Sequence, residues 1–147
     1  MLHGGFQVKV DEKGRVKLPS LFRKEFTERY GDGAFYITSV RGDCAHIYPA
    51  RAWEEVLTRL SGQATSKPPV AKFRRVTSYF GQVVPMDPQG RLVIPPKLRD
   101  AAQIADDVII LGQSNHLEVW NLERFQQTLV ADPITAEDED YLATLGI

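Results

Sequence analysis

Cysteine is nearly absent from this chain. Cys44 is the single one among 147 residues, so no intrachain disulfide can form, and a reducing compartment fits that composition. No apolar run approaches the about 20 residues of a membrane-spanning helix. The N-terminus has no basic stretch leading into an apolar one, so no secretory signal is expected and the chain reads as cytoplasmic. Histidine is scarce as well. His3, His46 and His116 stand at no metal-ligand spacing such as Cys-x-x-Cys or His-Glu-x-x-His. There is no glycine-rich phosphate loop, because Gly14 and Gly90 stand alone. No catalytic residue, bound metal, cofactor or small-molecule substrate is therefore expected. Cys44, beside Gly42 and Asp43 and without a nearby base, reads as a small buried residue rather than a nucleophile.

An excess of positive charge is missing too. The formal net charge is −1, which by itself argues against nucleic acid as a partner. The distribution says more than the sum. Lys9, Lys13, Arg15, Lys17, Arg23 and Lys24 crowd the start against Asp11 and Glu12. Asp132, Glu137, Asp138, Glu139 and Asp140 make the tail acidic with no base among them. A basic face can sit inside a neutral total.

What the chain does have is itself, twice. Residues 11–23 read DEKGRVKLPSLFR and residues 87–99 read DPQGRLVIPPKLR. Asp11 aligns with Asp87, Gly14 with Gly90, Arg15 with Arg91, Pro19 with Pro95 and Arg23 with Arg99. Apolar Val16, Leu18 and Phe22 align with Leu92, Ile94 and Leu98. Each copy continues with a short helix and an apolar β-rich run, Ala34 to Ile37 or Val108 to Leu111. A second strand then ends in Tyr48 or Trp120, and a helix follows with Trp53 or Phe125. The same elements in the same order imply a duplicated unit.

Local chemistry supplies the elements. Phe6, Val8 and Val10 alternate as on a half-buried strand, and Val16 and Leu18 alternate again, so residues 6–18 read as strand, loop, strand. Pro19 or Ser20 opens a helix, where the missing proline N–H is no loss. Pro95 and Pro96 do the same in the second copy. Ser61 to Pro69 reads as a linker, and Val70, Phe73 and Phe80 as a helix leading into the second copy. Thr135 caps a short acidic terminal helix. The domain boundaries expected are 1–63 for the first unit, 64–79 for linker and helix, 80–130 for the second unit and 131–147 for the tail.

Two readings fit the repeated loop. In one, Asp11 and Asp87 accept backbone N–H groups within a turn, Gly14 and Gly90 supply positive φ, and the arginines make ordinary ion pairs. In the other, Arg15 and Arg91 point from a rigid turn toward nucleic acid, where a planar fork takes two acceptors at once. Arg23 and Arg99 either pair with Asp11 and Asp87 or touch DNA themselves. Lys9 and Lys24 fit peripheral phosphate contacts.

With these two motifs, Tyr48-Pro49, Ser78-Tyr79-Phe80-Gly81 and Val119-Trp120, the chain resembles the MraZ family over roughly residues 1–130. That family belongs to the AbrB/MazE/SpoVT-like group of swapped-hairpin DNA-binding proteins. The resemblance implies an α+β fold in which two tandem AbrB-like β-β-α units form a pseudo-symmetric small β-barrel with flanking helices. It implies a regulator that binds DNA repeats upstream of a bacterial division and cell-wall gene cluster, as a ring-shaped oligomer, an octamer, on the nucleoid. By position, the DNA-contacting loop falls on Lys13 and Arg15 and, in the second copy, on Arg91. Gln89 replaces Lys13 and Pro88 replaces Glu12 there, so the second loop is expected to contribute less affinity. The alternative is an antitoxin-like interaction module whose acidic tail holds a partner.

Overall fold

Residues 1–63 and 67–147 are described here from a computed structural model. The order of elements is β1 (His3–Val10), β2 (Arg15–Lys17), α1 (Ser20–Tyr30), β3 (Phe35–Thr38), β4 (Ala45–Pro49), α2 (Ala50–Ser61) and α3 (Pro68–Tyr79). Then come β5 (Gln82–Val84), β6 (Arg91–Val93), α4 (Pro96–Ala101), β7 (Asp106–Gln113), β8 (Leu117–Asn121), α5 (Leu122–Ala131) and α6 (Ala136–Ala143). The fold is thus α+β. The expected linker falls between α2 and α3, and residues 64–66 of it lie outside the described part.

The two halves of the chain interleave. The main sheet runs β1-β7-β8-β4-β3-β5, with every pairing antiparallel. Strand β1 of the first half borders β7 of the second, and β5 of the second half borders β3 of the first. Strands β2 and β6 leave this sheet and pair with each other as a separate ribbon. The sheet keeps two edges, β1 and β5, where the resemblance implied a closed barrel. The tight turns after Val10 and Met86 redirect the chain, so the ladder is handed to the ribbon instead of closing on itself.

One main core lies between sheet, ribbon and helices. Val16, Leu18, Phe22, Leu92, Ile94 and Leu98, the apolar partners in the sequence repeat, are all buried in it. Leu2 joins them, and Phe22 packs edge-on against Phe6 at 5.2 Å between ring centres. A second cluster forms around Trp53, which stacks on Tyr36 at 4.7 Å and faces Phe73 of α3. The Tyr36 hydroxyl and the Thr38 hydroxyl both donate to the carbonyl of Thr77, pinning the end of α3 to β3.

The last two helices pack little. Asn121 caps α5 by accepting the Arg124 N–H at 3.0 Å. Thr135 and Asp138 form a reciprocal capping box on α6, as the sequence suggested for Thr135. Neither helix buries a residue fully. No helix among the described residues is long and apolar enough to cross a membrane.

Candidate nucleic-acid interface

The two Asp-x-x-Gly-Arg loops are built by the same hydrogen bonds. In the first, Asp11 Oδ1 accepts from the backbone N–H of Lys13 at 3.0 Å and of Arg15 at 2.9 Å. In the second, Asp87 Oδ1 accepts from Gln89 at 2.9 Å and Arg91 at 2.8 Å. The N–H of Gly14 closes onto Asp11 O, and that of Gly90 onto Asp87 O. Gly14 has φ 77° and Gly90 φ 78°, a region that disfavours any side chain.

The second carboxylate oxygen orients the arginine. Arg15 Nε donates to Asp11 Oδ2, and Arg91 Nε donates to Asp87 Oδ2 at 2.7 Å. The ion pairs of the turn reading are therefore present. They use the Nε side of each guanidinium. Among the described residues neither arginine's terminal nitrogens make a hydrogen bond. A fork held at its base, with four N–H donors left on its two terminal nitrogens, is prearranged for a bidentate acceptor.

Register decides where these arginines stand. Val16 pairs with Leu92 at the ribbon centre, and both are fully buried. Alternation then puts Arg15, Lys17, Arg91 and Val93 on the ribbon's outer face. Lys17 lies directly opposite Arg91, and Arg15 directly opposite Val93. Because the strands are antiparallel, the two loops enter the ribbon from opposite ends. The arginines are diagonal neighbours, with a spacing of roughly 7–8 Å.

Arg23 and Arg99 do something else. Neither pairs with Asp11 or Asp87, whose oxygens are taken by Arg15 and Arg91. Each crosses to the opposite loop. Arg23 lies against Gly90, where an added Cβ would come within 2.6 Å of Arg23 Nη1, and Arg99 lies against Gly14 in the same way. The glycine carbonyls are exchanged too. Gly90 O accepts from Leu18 N at 3.0 Å and Gly14 O from Ile94 N at 2.9 Å. Each loop is thus braced by the other half. Gly14→Ala should cost more stability in the wild type than in an Arg99→Ala background, read by urea unfolding. The positive φ of Gly14 strains alanine in both, but only the wild type has Arg99 in the way of the new Cβ. Equal losses would mean that Arg99 does not brace the loop.

The remaining lysines are dispersed. Lys13 is exposed at the first loop, with exposed Gln89 at the matching place. Lys9 stands on β1 opposite Asp107, with 3.9 Å between Nζ and Oδ1, so an acid already faces it. Lys24 is exposed on α1. The ribbon therefore gathers Arg15 and Arg91 with Lys13 beside them, and leaves Lys9 on the main sheet.

Both loop carboxyls are held below the usual 3.8. The largest cause is the backbone N–H of the loop arginine, reinforced by its side chain and opposed by partial desolvation. Such a carboxyl binds fewer protons folded than unfolded. Its stabilising contribution is complete above 3.8 and is lost as pH falls through the lower folded value. Carboxyl carbon NMR titration should place the Asp11 midpoint below 3.8, and Arg15→Ala should move it upward. An unmoved midpoint would mean that the side-chain pair contributes nothing.

A family profile described as "MraZ protein, putative antitoxin-like" matches residues 1–76 and 82–142. The chain belongs to the MraZ family. A relative from Acidobacterium capsulatum, named "Transcriptional regulator MraZ", is 44% identical over the full length of both chains. One of the same name from Koribacter versatilis is 39% identical, again over all of both. Another from Finegoldia magna is 36% identical over 118 residues, 80% of this chain and 79% of its own.

For this MraZ-family chain, sequence reading singled out Arg15, Lys13 and Arg91 but passed over Lys17. The signal was available. Once Val16 and Leu18 are taken as inward, residues 15 and 17 must share the outward face.

Proposed function

We propose that this chain is a sequence-specific, double-stranded-DNA-binding transcriptional regulator, not an enzyme, and that it docks through the outer face of the β2–β6 ribbon. The observation that carries the proposal is the shared outward face of Arg15, Lys17 and Arg91, with each arginine fork steadied by its loop aspartate. A two-stranded ribbon is narrow enough for the major groove, and an arginine fork matches guanine O6 and N7. Lys13 and Lys24 take phosphates around it. Lys9 contributes weakly, because Asp107 faces it. Arg23 and Arg99 act by fixing the loops.

The units at 1–63 and 80–130 are read as tandem AbrB-like halves joined by 64–79, wrapped around one core as a partly open barrel, with the tail at 131–147. One ribbon offers few contacts, so affinity comes from an oligomeric ring, an octamer, that presents several ribbons to successive DNA repeats. Unpacked apolar side chains on and beside α5 and α6 supply a surface for such assembly: Leu129, Val130, Ile134, Tyr141 and Leu145. The targets are read as DNA upstream of a bacterial division and cell-wall gene cluster, on the nucleoid in the cytoplasm, and the relatives' name "Transcriptional regulator MraZ" supports the regulatory part of that reading.

The deciding experiment is a footprint of the purified protein on the DNA upstream of its own gene. Protected short direct repeats are expected, and uniform cleavage at saturating protein would overturn the proposal. Binding should weaken steeply with salt. Lys17→Ala should lower the salt slope by about 1 without altering base preference, as for loss of one phosphate contact. An unchanged slope removes Lys17 from the interface.

A further inference from the structure

Strands β4 and β8 bring together a group that their positions in the chain conceal. His46 pairs in register with Glu118, and Cys44 stands just before β4, two residues ahead of His46. One donor atom from each of Cys44, His46 and Glu118 lies within 4.8 Å of the others. This face is opposite the main core, which takes Ala45, Ile47, Leu117 and Val119.

The imidazole of His46 is the anomaly. Its Nδ1 is sealed from solvent and has no hydrogen-bond partner. Its Nε2 stands 3.6 Å from Glu118 Oε2, beyond hydrogen-bond reach. A mostly buried ring with neither nitrogen bonded calls for a missing partner. The surroundings favour a cation. Cys44 is buried beside the imidazole, and the Glu118 carboxylate reaches the same point from β8.

We propose that Cys44, His46 and Glu118 form a binding site for a borderline divalent metal ion of the zinc class. Thiolate, imidazole and carboxylate together suit that class. Around tetrahedral zinc, donor atoms sit roughly 3.3–3.7 Å apart, so the 3.6 Å gap between His46 and Glu118 matches and the widest pair needs a small inward turn. Trp120 Nε1 donates to the other carboxylate oxygen of Glu118 at 3.0 Å, orienting it as outer partners of metal ligands do. The ring of His116 stacks on that of His46, with 5.1 Å between ring centres, and holds it in place. On binding, Cys44 releases its thiol proton to solvent and the sulfur–metal bond replaces the S–H bond.

The test uses the full-length, tag-free chain, stripped with a chelator, kept reduced, and titrated with Co²⁺ alone and then Zn²⁺ alone. The expected result is a thiolate-to-cobalt charge-transfer band at one ion per chain, displaced by Zn²⁺. Cys44→Ser should abolish that band, and Glu118→Gln should weaken zinc binding at least about 10-fold. Trp120→Phe, which leaves every donor in place, should weaken it by about 10-fold, while His3→Ala changes nothing. Circular dichroism reports whether each variant folds. Should Cys44→Ser unfold, the wild-type band and the Trp120→Phe affinity still decide. A wild-type cobalt spectrum without a thiolate band, or binding abolished by His3→Ala, overturns the proposal.

Discussion

Alanine at both Arg15 and Arg91 is expected to abolish operator recognition while leaving the fold intact. The fold survives because Asp11 and Asp87 still cap their turns through the backbone N–H groups, which do not depend on the arginine side chains. Each lost base contact should cost about 1–3 kcal/mol, or roughly 5- to 150-fold. The two sites are diagonal neighbours, so their losses need not add. In a multivalent assembly the deficit recurs at every engaged ribbon. Arg15→Lys separates charge from geometry. It should keep salt-sensitive, non-specific binding and lose discrimination, because an ammonium cannot present the fork. Fluorescence anisotropy with operator and scrambled duplexes measures both. A folded double variant that binds the operator as wild type would sink the assignment.

The largest loss of stability is expected from Phe22→Ala. Phe22 is fully buried, lies against Phe6, and belongs to the core that ribbon and sheet share. Truncating such a side chain costs about 3–5 kcal/mol, against a total of about 5–15 for a typical domain. Guanidinium unfolding should therefore shift its midpoint far to lower denaturant. Leu21→Ala next door, at an exposed position, should scarcely move it. A loss under 1 kcal/mol at Phe22 would mean that the site collapses around the hole.

Local features of the molecule were readable from the residues. Val16, Leu18 and Phe22 matched Leu92, Ile94 and Leu98 in the sequence, and all six are in the core, because alternation and helical spacing report burial directly. Gly14 and Gly90 were readable as positive-φ turn positions. Partnership at a distance was not. Nothing in the spacing told whether Asp11 would hold Arg15 or Arg23, since both lie within reach of a turn and only the exchange of loops sends Arg23 to Gly90. The metal-ligating group was invisible for the same reason. His46 and Glu118 meet through strand register, while spacing along the chain shows no metal signature.

The interleaving of strands has a consequence during synthesis. Strand β1 is among the first segments made, yet its partner β7 begins about a hundred residues later. At roughly 5–20 residues per second, an emerging chain carries a bare strand edge for several seconds before it is covered. The ribbon waits for β6 and the main sheet for β5, β7 and β8, all from the second half, so the first half cannot finish its own core alone. The nascent molecule therefore keeps an open strand edge, of the kind that invites pairing with other chains, until most of its length has been made.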